Sequence, residues 1–211
     1  MSVTVLLLDL DGVLVFPPPT LQGDLLAVAD WRDGGPGPFL AALTDDPAQL
    51  AALVGEGDVL TAMAPLLQTY APGADPAAVH DVFCAAPVVD ADVAGLLPDL
   101  LVDAVHVVTN QDARRLAALG PVLAGLDVDG VFASCDLGAR KPDRAFFEAV
   151  LAVLGSPAAD CVFVDDSPGN VAGGRAAGLD AVLRTSTPQL RAELVTRGLV
   201  GPPARPDRPD E

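Results

Sequence analysis

The chain has 211 residues, of which 51% are hydrophobic and 19% charged, and carries a formal net charge of -17 at neutral pH. This composition excludes a disordered or coiled-coil protein and predicts one sizeable buried core, or a core with a smaller insertion. The negative charge argues against nucleic acid or an anionic membrane surface as partner, since phosphate backbones recruit Lys and Arg, but not against a small phosphorylated molecule met by a metal ion and a few local cations.

The first apolar run, in "VTVLLLDLDGVLV", predicts a strand that ends in Asp9 and Asp11. Side chains alternate along a strand, so both carboxylates point the same way beyond its carboxyl end. Such a pair is tolerable with a cation between the two, with a proton on one of them, or with both in water. Gly12 lets the backbone turn sharply out of the strand. No basic stretch precedes the run and Asp9 interrupts it early, so neither a signal peptide nor a membrane span is expected.

After "FPPPT" the pattern changes. Segments around "PAQLAALV", "GDVLTAMAPLLQTYA" and "DPAAVHDVFCAA" have helical spacing, with Leu60, Met63, Ala64 and Leu67 as an example, and predict a small helical insertion over residues 16–85. Pro17, Pro18 and Pro19 predict a stiff linker at its start. Trp31, Arg32 and Tyr70 are the insertion's candidates for holding a sugar or a second anion, although packing is the commoner role for each. "DADVAGLLPDLLV" reads as a helix leading back to the core, with Pro98 set against it.

The strand "AVHVVT" ends at Thr109, which offers a hydroxyl, and Asn110 offers an amide to an anion; the same residue types also cap helices. "GVFAS" predicts a further strand. "KPDRAFFEAVLAVLG" reads as a helix with Pro142 near its first turn, Phe146, Phe147, Val150, Leu151 and Leu154 on one face, and Gly155 past its end. Lys141, with Arg140 beside it, brings a fixed positive charge to a phosphoryl group or to Asp9. "CVFVDDSPGN" ends a strand in Asp165 and Asp166. Two such carboxylates are expensive without a counter-charge, so a divalent cation is the natural explanation, with a helix dipole as the alternative. Ser167 starts the next helix and Asn170 braces the loop. "DAVLR" predicts a last strand, and "GPPARPDRPDE" a disordered tail over 201–211. Cys84, Cys135 and Cys161 have no paired spacing, which fits free thiols in a reducing cytoplasm, and His80 and His106 receive no catalytic role.

Short apolar runs separated by helices predict an α/β fold, a doubly wound parallel sheet of Rossmann-like type built from residues 1–15 and 86–200. Ligands gather beyond the carboxyl ends of such strands, where each candidate residue falls.

In this order and context, "DLDGV", "VVTN", "RKPD" and "FVDDSPGN" resemble the four motifs of the haloacid dehalogenase superfamily, over a core reaching to about residue 185. The insertion resembles the alpha-helical cap of the subfamily that carries its cap after the first motif. The resemblance implies that Asp9 is a nucleophile forming an aspartyl-phosphate and that Asp11 is the general acid and base, keeping its proton until substrate arrives. It implies that Thr109 binds phosphate with Asn110 as helper, and that Lys141 stabilises the nucleophile and the transferring group. Asp165 and Asp166 would place Mg2+ with Asp9 and the backbone carbonyl of Asp11, Asp166 being the expected direct ligand; Gly12, Ser167 and Asn170 would support the site. The implied activity is Mg2+-dependent hydrolysis of a small phosphorylated metabolite resembling a sugar phosphate, in the cytoplasm. A phosphomutase would use the same residues, dehalogenases lack the second Asp, and a non-catalytic member would have lost a position that is kept here. A receiver module would place its acidic pair first and its phosphorylated Asp later, the reverse of this order.

Overall fold

The computed structural model describes residues 5–201, so the expected tail lies outside the described residues except for Gly201. The strands are β1 (Val5–Leu8), β2 (Val15–Phe16), β3 (Val88–Val89), β4 (Ala104–Thr109), β5 (Gly130–Ala133), β6 (Cys161–Asp165) and β7 (Asp180–Leu183). Five of them form a parallel sheet in the order β5-β4-β1-β6-β7, the doubly wound arrangement expected from the apolar runs. The central strand β1 is buried throughout, with Leu6 and Leu8 in one apolar cluster and Val5 and Leu7 in the other. Buried on both faces, such strands need apolar residues at every position, and each fully buried Leu or Val stabilises the fold by roughly 1.5–3 kcal/mol.

Helices cover both faces. α9 (Arg144–Leu154) buries Phe146, Phe147 and Val150 against Phe163 of β6, and α10 (Pro168–Ala176) adds Val171 to the same cluster. On the other face α7 (Ala113–Leu123) contributes Leu119, while α11 (Thr187–Thr196) contributes Leu190 and Leu194. The short α8 (Ser134–Leu137) follows β5; α9 begins after Pro142 rather than around it, and Gly155 ends it in the left-handed conformation at φ 64°. The segment "DADVAGLLPDLLV" does not form one helix. It gives α6 (Ala91–Ala94) and a separate 3-10 turn over Leu97–Asp99, because Pro98 lacks the amide that a continuing helix requires.

Between β2 and β3 lie α1 (Leu21–Val28), α2 (Gly37–Asp45), α3 (Pro47–Leu53), α4 (Val59–Tyr70) and α5 (Pro76–Phe83). Leu25, Phe39, Met63, Leu67 and Val79 form a third apolar cluster within this segment. Trp31 and Tyr70 pack against it, with ring centroids 5.1 and 6.4 Å from that of Phe39. The two ends of the segment meet in a short antiparallel ribbon, Val15 opposite Val89 and Phe16 opposite Val88. Among the described residues no helix is long and apolar enough to cross a membrane.

Asp112 makes one of several contacts that join this segment to the sheet side. Asp112 accepts from the amides of Arg114 and Arg115 at 3.0 Å each, capping α7, and lies 3.1 Å from His80 Nε2 on α5. Burial works to raise the Asp112 carboxyl, but the bonds from His80 and the helix amides outweigh it and hold the group below the ordinary carboxylate range. Its contribution to stability is therefore complete above the unfolded value near pH 4 and fades as pH falls through the lower folded value. Asp112→Ala should lower the unfolding free energy by about 1–2 kcal/mol at pH 7. Unfolding curves taken down to acid pH should also fall less steeply for the variant than for the unchanged protein.

Candidate active site

The site forms where β1, β4 and β6 end. Parallel pairing sets Leu8 opposite Val164 and Val107, so Asp9 leaves β1 beside Asp165, with Thr109 at the end of β4 on the other side. The backbone of Asp9 donates to Val164 O at 2.9 Å, and its Oδ1 accepts from Leu10 N at 2.6 Å. Lys141, 1% exposed, places its ammonium 2.8 Å from Asp9 Oδ1 and 2.7 Å from Asp165 Oδ2. The ring of Phe163 lies beneath that ammonium at 5.7 Å.

Each member of this triplet is held by a second set of contacts. Asn110 donates to Lys141 O and accepts from Lys141 N, both at 2.9 Å, and so fixes the loop that carries the lysine. Its carboxamide faces Lys141, not an open anion position. Asp165 accepts from Ser167 N at 2.8 Å and from Asn170 Nδ2 at 3.0 and 3.1 Å. Ser167 also caps α10 by accepting from Asn170 N. Arg140 reaches no carboxylate of the cluster, and its side-chain bond among the described residues goes to Lys141 O at 3.4 Å.

Charge is unbalanced here. One oxygen from each of Asp9, Asp165 and Asp166 falls within 4.8 Å of the others, against the single ammonium of Lys141. Burial, aided by Asp165 and opposed by Lys141, pushes the Asp9 carboxyl up to about 8. Three hard oxygen donors, which ionised together would leave two negative charges unbalanced, suit one divalent cation of the Mg2+ type, whose charge would favour the ionised form of Asp9. Gly12 makes room for this arrangement: at φ 81° a Cβ there would lie 2.2 Å from Asp166 Oδ2.

Asp11 belongs to a second group. Arg115 grips it with two bonds of 2.7 Å, one to each carboxylate oxygen, and Gln111 Nε2 donates to Oδ2 at 2.6 Å. Gln111 Nε2 also reaches Thr109 Oγ1 at 3.2 Å, and Arg115 Nε donates to Phe83 O, at the end of α5, at 3.0 Å. Every side-chain partner of Asp11 among the described residues is thus a donor.

Gln111 and Arg115 were not singled out by the sequence; their only signal is their place just beyond the strand that ends in Thr109. Arg184 is a third such residue, with a clearer signal, since it ends the run "DAVLR". It donates to Gly12 O at 2.8 Å and to Asp90 Oδ2 at 2.6 Å and stacks over Phe16 at 5.2 Å, tying both strands of the ribbon region to the Asp11–Gly12 turn. Trp31, Arg32 and Tyr70 stay with the helical segment: Trp31 Nε1 donates to Leu25 O and Arg32 N to Tyr70 O.

The model of the haloacid dehalogenase-like hydrolases matches residues 3–178, and the chain belongs to that family of hydrolases. Among curated proteins it is similar to a sesquiterpene phosphatase of Aspergillus oryzae, 38% identical over 99 residues that make up 46% of this chain and 50% of the relative. It is also similar to a drimenol cyclase of Aspergillus calidoustus, 40% identical over 76 residues, 36% of this chain and 14% of the relative. The chain therefore spans half or less of the length of these relatives. Among solved structures, a magnesium complex of a family enzyme from Bacteroides thetaiotaomicron has a TM-score of 0.68 at 14% identity, covering 87% of this chain and 94% of that one. An L-2-haloacid dehalogenase from Xanthobacter autotrophicus has a TM-score of 0.65 at 22% identity, covering 95% and 85%. At such identities the likeness shows the fold.

Lys141→Met would leave Asp9 and Asp165 buried without their shared cation. In metal-free buffer the unfolding free energy, measured with urea, should drop by about 3–5 kcal/mol. An unchanged midpoint would mean that the two carboxylates do not depend on it.

Proposed function

We propose that the chain is a phosphomonoester hydrolase in which Asp9 is the nucleophile and Asp11 the general acid and base. The observation that carries this reading is the placement of Asp9 against the buried Lys141 ammonium, with Asp165 and Asp166 alongside. The relative described as a sesquiterpene phosphatase supports phosphate ester chemistry. Asp9 attacks phosphorus while the bond to the leaving oxygen breaks, and Asp11, which takes up a proton from solvent as it leaves Arg115 and Gln111, gives that proton to the leaving oxygen. Asp11 then takes a proton from a water that attacks the aspartyl-phosphate, which releases phosphate and restores Asp9. Thr109 and Lys141 hold the phosphoryl oxygens, and Asn110 serves them by holding the lysine loop.

Mg2+ would be held by Asp9, Asp166, Asp165 and the Asp11 carbonyl, and would screen the charge between the nucleophile and the phosphoryl group. Asp166 is the favoured direct side-chain ligand beside Asp9, since Asp165 is already engaged by Lys141, Ser167 and Asn170. Asp11 must exchange Arg115 and Gln111 for the leaving oxygen. Arg115 is therefore a positioning residue, and its bond to Phe83 O makes that exchange sensitive to movement of α5. We read residues 16–85 as a cap over a core of 1–15 and 86–200, with the β2–β3 ribbon at its hinge. The substrate is then a small phosphorylated metabolite, and the setting is the cytoplasm, in keeping with three free cysteines.

Phosphate release should be measured from acetyl phosphate and a panel of phosphate monoesters, with Mg2+ or with EDTA. Release should require the metal and fall by about 1,000-fold or more in Asp9→Asn. Release that survives in Asp9→Asn would contradict this assignment of the nucleophile.

A further inference from the structure

Between α2–α5 and the loop after β4 lies a cavity of about 290 Å3. Its wall is mostly carbon: Leu43 of α2, Leu53 of α3, Val59 and Met63 of α4, and Val82 and Phe83 of α5. One end is bounded by Asn110, Gln111 and Arg115, the last two being the groups that hold Asp11. A leaving alcohol whose oxygen meets Asp11 would pass these residues and enter the cavity.

Several polar side chains also reach the wall, and each is engaged by the protein itself. His80 pairs with Asp112 at 3.1 Å, Gln49 Nε2 donates to Val59 O at 3.4 Å, and Thr44 Oγ1 donates to Leu40 O at 3.2 Å. A sugar carries several hydroxyls, and each one buried without a partner weakens binding. An alkyl chain has no such requirement and gains from every methylene removed from water. Trp31, Arg32 and Tyr70, the side chains suited to a sugar or a second anion, do not line this cavity.

We infer that the cavity receives the apolar part of the substrate, so that the substrate class is the phosphomonoester of an aliphatic alcohol and not of a sugar. This inference rests on the phosphomonoesterase reading and departs from the sugar-phosphate expectation raised by the sequence.

The test uses alkylphosphonates, whose carbon–phosphorus bond a phosphomonoesterase leaves intact, titrated calorimetrically into the unmodified protein with Mg2+. From butyl- to hexyl- to octylphosphonate, Kd should fall about threefold to fourfold for each added methylene. Propylphosphonate should bind more tightly than 2,3-dihydroxypropylphosphonate. A Kd that is flat across the alkyl series, or a preference for the dihydroxy compound, would overturn the inference. Acetyl phosphate hydrolysis separates the two ideas. Chain-length dependence without hydrolysis sinks the phosphatase reading and leaves the apolar site standing, whereas hydrolysis with a flat series does the reverse.

Discussion

The ammonium of Lys141 between Asp9 and Asp165 is the interaction on which the rest of the site depends. Out of water, a charge of either sign is costly unless it is paired and hydrogen-bonded, and the pairing is correspondingly strong. The sheet brings the partners together: β1 and β6 are neighbours in register, so their carboxylates emerge side by side. The lysine arrives from another part of the chain, and Asn110 locks its backbone at both polar groups. Ser167 and Asn170 do the same for the Asp165 carboxylate.

The two carboxylates of "DLDGV" avoid each other's charge by taking different cations. Asp9 turns to Lys141 and Asp11 to Arg115. What remains unbalanced is the group of Asp9, Asp165 and Asp166, where three acids share one lysine. The apolar cavity begins at Gln111 and Arg115, on the Asp11 side of the site. The charged site and the apolar cavity therefore share Gln111 and Arg115 as a boundary.

The central sheet was legible because strands buried on both faces must be apolar at each position, a demand that "VLLL", "AVHVVT" and "CVFVD" state openly. α9 was equally plain, with its apolar stripe and Gly155 at its end. α1 and α2 were not, since Gly23 interrupts one and Gly37 and Pro38 open the other, so packing around Leu25 and Phe39 and not local preference makes them helical. Asp9 and Asp165 could be found as charges at strand ends, and Lys141 as a cation just ahead of α9. The grip of Arg115 on Asp11 spans 104 positions, and such long-range pairing leaves no local pattern to read. The cavity was hidden for the same reason, being lined from α1–α5, α7 and loops that only the fold assembles.

If Asp9, Asp165 and Asp166 hold one divalent cation, calorimetric titration of Mg2+ into the metal-free protein should show it. One ion should bind per chain, with binding strongly weakened in Asp166→Asn. No binding, or binding undiminished in Asp166→Asn, would contradict it.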